Sequence, residues 1–201
     1  AGLDEGFTQY MTAEGLKLVD GDTMMENKSK KWVHQNLAPK NPQNVRVLAP
    51  YVYSTASGGD HQLNTQSDDF GGALHHGGGY SNVYYKTAAM LYSLKNVLGD
   101  SLFDAAMLHY FHQWKFAHPY FEDFRNSITQ YTKVDLNWFF DQWWETTKPL
   151  NYSIKTLKNN KKEQTVTIRL QRKPYGMQMP VDLELIDANK DTTRIDRKSV
   201  V

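Results

Sequence analysis

The side chains of this 201-residue chain that could do metal or acid–base chemistry include seven histidines, His34, His61, His75, His76, His109, His112 and His118, beside 22 Asp and Glu and 12 Tyr. There is no cysteine, so thiol nucleophiles and thiolate sites are excluded, and a zinc ion would need His and carboxylate ligands. Any carboxylate is a compact anion suited to such a role, and one at a helix start, such as Glu5, reads first as solvated beside the helix dipole. A tyrosine carries a phenol that stays protonated at neutral pH and can donate to a developing oxyanion, and the chain has 12 of them. Tyr84 falls on the apolar stripe of its own segment, where core packing is the plain reading. His109 and His112, three residues apart, can share a helix face, and His75 and His76 adjoin in a glycine-rich stretch. Leu108, Phe111 and Trp114 interleave the first pair, and no nearby carboxylate completes a ligand set.

The elements that must position these groups are mostly helical. Leu3, Phe7, Tyr10, Met11 and Leu18 fall near helical spacing and predict a helix over about residues 4–20. Periodicity is poor from Gly21 to Asn82. Within that stretch Gly58, Gly59, Gly71, Gly72, Gly77, Gly78 and Gly79 supply seven of the chain's 13 glycines, and a long loop is expected over about 57–82. Neither G-x-x-x-x-G-K-[ST] nor G-x-G-x-x-G can be written across these glycines, so a phosphate cradle is not indicated.

Four amphipathic segments follow with short connections. Tyr84, Ala88, Leu91, Leu94 and Leu98 form one stripe, stopped by Gly99. Leu102, Phe103, Ala106, Met107, Tyr110, Phe111 and Trp114 form the second, behind Asp100 or Ser101 as cap. His118-Pro119 is expected to start a third, with Phe121, Phe124, Ile128 and Tyr131 inward. Leu136, Phe139, Phe140, Trp143 and Trp144 make the fourth, and this wealth of aromatic residues at helical spacing reads as core. After Lys148-Pro149 the period changes to two. Val166, Ile168 and Leu170, and then Val181, Leu183 and Leu185, alternate with polar residues, while Asn159-Asn160-Lys161-Lys162 and Ala188-Asn189-Lys190-Asp191 read as turns. The fold class is therefore mainly α, a helical part over 1–149 followed by an antiparallel sheet of about four strands over 150–201.

Twenty-three Lys and Arg against 22 Asp and Glu leave a net charge of +1, which argues against a dedicated nucleic-acid binder. Lys155, Lys158, Lys161, Lys162, Arg169, Arg172 and Lys173 concentrate positive charge on one hairpin, the usual dress of a solvated or edge-protecting strand pair. No apolar run is long enough to span a bilayer.

Leu3-Asp4-Glu5-Gly6-Phe7 resembles the L-[ND]-E-G-F segment of the aminopeptidase N family, zinc metallopeptidases of the gluzincin type. In that family the segment follows H-E-x-x-H. Tyr84-Tyr85-Lys86-Thr87 stands where the family has Y-x-K-G on a helix, followed by Leu98-Gly99-Asp100 and Phe103. His118-Pro119, Asp123-Phe124, Asp135-Leu136, Trp138-Phe139-Phe140 and Gln142-Trp143 repeat the family's succession through the later helices. The resemblance runs from Leu3 to Trp144, and the alternating segment after Pro149 resembles the start of the family's β-sandwich.

The resemblance implies that Glu5 is the third zinc ligand and Tyr84 the phenol that stabilises the tetrahedral intermediate. The adjoining Tyr85 leaves room for a slip of one position, about 100° on a helix. Lys86 is left as a structural cation or a surface residue. H-E-x-x-H occurs nowhere among the seven histidines, and the family's G-x-M-E-N segment, which binds the substrate's free amine, is expected in a missing N-terminal portion. The chain is thus expected to be an excised middle portion of a zinc aminopeptidase that acts on peptide substrates together with the remainder of its polypeptide. Alone it is expected to be inactive and not to hold zinc stably. Two other readings stay open: a non-catalytic peptide-binding or scaffold module of the same fold, and a stand-alone metal-binding module using His75, His76, His109 and His112.

Overall fold

The computed structural model describes residues 2–21, 41–66, 78–187 and 189–195. The chain divides into two compact units, Ala1–Thr146 and Thr147–Val201.

The first unit is helical. A π-helical turn, Gly2–Gly6, runs directly into α1 (Phe7–Asp20). A second π-turn, Asn44–Leu48, runs into α2 (Ala49–Ala56), and a helical turn Gly78–Ser81 with a third π-turn, Asn82–Lys86, runs into α3 (Thr87–Leu98). In the second and third, the N–H of Ala49 reaches back five residues to Asn44 O, and that of Thr87 to Asn82 O. Then come α4 (Asp100–Trp114), α5 (Phe121–Thr132) and α6 (Asn137–Glu145).

Helix α3 is central: it packs on α1, on α4 and on the first two π-turns. Its buried set, Thr87, Ala88, Ala89, Met90, Leu91, Leu94 and Leu98, is wider than a single stripe for that reason. An aromatic cluster fills the space between α1, α4, α5 and α6. Phe124 meets Phe7, Tyr110 and Phe140 edge-on at ring-centroid distances of 4.9, 5.0 and 5.8 Å, and Phe121 stacks on Trp144 at 3.5 Å.

Several sequence expectations need correction. Helix α2 and its π-turn lie where no periodicity was read. Residues 78–82 are helical, so that part of the expected 57–82 loop is not loop; residues 67–77 lie outside the described residues. Neither Asp100 nor Ser101 caps α4; Gly99, at φ +78°, ends α3 and its carbonyl accepts the Phe103 N–H at 3.0 Å. Helix α5 starts at Phe121 rather than at His118-Pro119, because the Asp123 carboxylate accepts the Tyr120 N–H at 2.8 Å and caps the helix there. Tyr131 is exposed and lies on His109 instead of facing inward. Met11 and Leu18, 62% and 88% exposed, are not core, and Phe111 is exposed as well. All three border a groove of about 890 Å³ between α1 and α4.

In the second unit β1 (Tyr152–Asn160) pairs antiparallel with β2 (Thr165–Arg172), with a register shift between Ile154 and Thr156. A separate hairpin pairs β3 (Leu183–Ile186) with β4 (Thr192–Ile195). Among the described residues two two-stranded sheets stand in place of the single sheet of about four strands expected, and Val181 precedes β3 instead of belonging to it. The Tyr152 hydroxyl accepts the Met179 N–H at 2.9 Å and donates to the Met179 carbonyl at 3.1 Å, pinning the segment after the first hairpin to β1.

Candidate functional site

Glu5 and Tyr84 sit on two π-turns that pack directly against each other. Single π-turns inside helices recur at functional sites, because the extra residue re-aims the side chains around it. The crossing is close because Gly6 has no side chain: a Cβ built there would lie 2.5 Å from Thr87 Cγ2 and 2.8 Å from Val83 O. The two backbones therefore touch one residue after Glu5 and one residue before Tyr84. Gly2 repeats the arrangement more loosely, its Cβ position lying 3.2 Å from Thr87 Oγ1 and 3.3 Å from Trp144 Cη2. Glu5 is half-buried, whereas its neighbour Asp4 is exposed. Tyr84 and Tyr85 are both half-buried, with ring centroids 6.4 Å apart.

On the far side of the Tyr84 turn is an ion pair that sequence reasoning missed. Lys86 is fully buried, and its ammonium donates to Asp60 Oδ1 at 2.9 Å, to the His61 carbonyl at 2.7 Å and to the Thr146 carbonyl at 2.9 Å. Burial lowers its pKa, and the hydrogen bond and charge of Asp60 oppose that shift. Asn82, one turn earlier on the same face, donates to the Gly59 carbonyl at 2.7 Å. Leu63 and Asn64 donate their N–H groups to the Trp144 carbonyl at 2.8 and 3.2 Å, so the 59–64 segment is tied both to the third π-turn and to α6. Tyr51 on α2 is also affected: burial, then the charge of Asp60, pushes its phenol above the ordinary range. Lys86 is therefore the structural cation of the two alternatives. The signal for it was the Asn82/Lys86 spacing of four residues, but nothing in the local pattern around Asp60 marked it as the partner.

Among the described residues the histidines do not gather into a ligand group. His34, His75 and His76 lie outside the described residues. His109 stacks on the Tyr131 ring at 4.7 Å, and His112 meets Phe111 edge-on. Among the described residues no three His, Asp or Glu side chains come together in a group able to hold a metal. The Glu5 carboxylate can offer a metal one anionic donor, and among the described residues it belongs to no group of three such ligands.

Residues 2–143 match the peptidase family M1 domain. The match takes in both π-turns of the crossing and the helices that hold them, and the chain belongs to this family of metallopeptidases. No curated protein matches the chain. No helix among the described residues is long and apolar enough to cross a membrane.

Proposed function

We propose that the protein acts as a zinc-dependent aminopeptidase, hydrolysing residues from peptide N-termini, and that this chain supplies Glu5 as the third zinc ligand and Tyr84 as the oxyanion donor. The observation that carries the reading is the close crossing at Gly6, which brings the Glu5 turn against the Tyr84 turn. A half-buried carboxylate and a half-buried phenol carried on two touching turns suit a metallopeptidase site: the first is a hard anionic donor, and the second is a neutral hydrogen-bond donor at pH 7. Zinc, when bound, would polarise the scissile carbonyl as a Lewis acid.

The chain's own contributions are then two. Glu5 holds one ligand position with its carboxylate, and the turn it sits on is fixed in place by the packing of Gly6. Tyr84 donates its phenolic O–H to the oxygen that gains charge as the carbonyl becomes tetrahedral, then keeps that proton as the intermediate collapses. The two neutral nitrogen ligands and the general base come from an H-E-x-x-H segment that these 201 residues do not contain. The rest of the polypeptide is therefore a necessary partner, and the chain alone turns over no peptide and retains no zinc.

The test is steady-state hydrolysis of an aminoacyl substrate by the longest polypeptide that contains these residues. Tyr84→Phe should lower kcat by about 10²- to 10³-fold, the usual loss of one oxyanion donor, while Tyr85→Phe should leave it within about threefold. Full activity in Tyr84→Phe would transfer the role elsewhere, and absence of any hydrolysis by the parent form would favour a peptide-binding or scaffold module of the same fold.

A further inference from the structure

We propose that Lys86 is a positioning residue for Tyr84, setting the rotation of the π-turn that carries the phenol by clamping its opposite face to the 59–61 segment and to the end of α6. The inference rests on the reading of Tyr84 as the oxyanion donor. Around the turn, residues four apart share a side. Asn82 and Lys86 meet Gly59, Asp60 and His61, whereas Val83 and Thr87 meet Gly6. Each residue is rotated by about 100° on an α-helix and by somewhat less in a π-turn, so Tyr84, two residues on, falls nearly opposite Asn82 and the clamped face. The half-buried state of Tyr84 against the full burial of Lys86 agrees with that placement.

The clamp is built for direction more than for adhesion. An ammonium has three N–H donors, and here all three meet an acceptor between 2.7 and 2.9 Å, two of them backbone carbonyls from segments 25 and 60 residues away in sequence. In a π-turn the backbone bond spans five residues instead of four, as from the Thr87 N–H to Asn82 O, so the rotation of this turn departs from that of a regular helix and contacts on its two sides hold it there. Lys86 supplies the contact on one side and Gly6 the contact on the other. A small rotation of the turn would carry the phenol oxygen sideways by a fraction of an ångström to about 1 Å, and a misplacement on that scale costs up to about 100-fold in rate.

The experiment measures kcat and KM in the longest polypeptide containing these residues for Lys86→Met, Asp60→Asn and Tyr84→Phe, together with the pairs of each clamp variant with Tyr84→Phe. Hydrogen exchange at the amides of residues 82–87 is followed in the 201-residue chain. Lys86→Met should lower kcat by about 10- to 100-fold with KM within about twofold, and should lower it no further once Tyr84 is Phe. Exchange across 82–87 should accelerate. Asp60→Asn keeps an acceptor for the ammonium while removing the charge; it should give the same pattern at smaller amplitude, and it carries the test should Lys86→Met fail to fold. An unchanged kcat in the clamp variants, or an equal loss with Tyr84 present and absent, overturns the positioning role while leaving the Tyr84 reading intact. Full activity in Tyr84→Phe itself overturns that reading, and the positioning role with it.

Discussion

Replacing Gly6 by Ala tests whether the two π-turns really touch. Helix propensity alone predicts a gain, since Gly6 has helical dihedrals, φ −68° and ψ −37°, and Ala is better than Gly there by about 1 kcal/mol. Packing predicts the reverse. The new Cβ would lie 2.5 Å from Thr87 Cγ2 and 2.8 Å from the Val83 carbonyl oxygen, and neither a β-branched side chain on a buried helix nor a backbone carbonyl can swing aside. Overpacking of this kind costs about 3 kcal/mol at the upper end of its usual range, so the net loss is about 2 kcal/mol. For a chain of this size that lowers Tm by about 4–8 °C. Thermal unfolding followed by far-UV circular dichroism measures it directly. The Thr87→Gly background provides the internal control: with the threonine side chain gone, Gly6→Ala should cost about 1 kcal/mol less than in the wild type. A Tm that rises or stays unchanged in Gly6→Ala would refute the close crossing, because only open space at that position lets propensity win.

Other outcomes follow from the same packing. Phe124 is fully buried and touches Phe7, Tyr110, Phe121 and Phe140, so Phe124→Ala should cost about 3–5 kcal/mol in urea unfolding, a large share of the stability of an ordinary domain. Thr87 Oγ1 is buried without a hydrogen-bond partner among the described residues, so Thr87→Val should be stabilising by about 1 kcal/mol, read as a higher urea midpoint at unchanged slope. Burial, aided by nearby carboxylates, raises the phenol pKa of Tyr10, Tyr51 and Tyr92 above the ordinary value and that of Tyr110 to about 12. Above pH 10 the unfolded chain releases these protons while the folded chain keeps them, so stability must fall as pH rises from 10 toward 12. The signature is a Tm that declines steeply above pH 10, with the tyrosinate absorbance of these four phenols appearing together with unfolding, after that of exposed tyrosines such as Tyr53 and Tyr175.

The helices from Thr87 onward were legible because their apolar residues recur with the helical period and their ends are marked by residues such as Gly99. Helix α2 was not, because its short apolar pattern is cut by Pro50, which the helix accommodates in its first turn. The start of α5 was misplaced because Pro119 suits a first helical position, yet the Asp123 carboxylate caps the chain at Tyr120. Met11, Leu18 and Phe111 have the spacing of core residues and still face a groove, since periodicity states which side of a helix is apolar and not whether anything covers it. As candidate site residues, Glu5 and Tyr84 came forward only through the family resemblance, each having a bland alternative on its own. The crossing at Gly6 and the Lys86–Asp60 pair join residues far apart in sequence, and no local pattern encodes such a meeting.

The most direct test of the central claim is the zinc content of the longest polypeptide containing these residues, compared between the wild type, Glu5→Gln and Asp4→Asn after dialysis against a weak chelator. Asp4 shares the turn and the charge of Glu5 but is exposed, so it separates a ligand from a nearby anion. Near one zinc per chain in the wild type and in Asp4→Asn, with loss in Glu5→Gln, is the predicted result. Undiminished zinc in Glu5→Gln would contradict the assignment of Glu5 as a ligand.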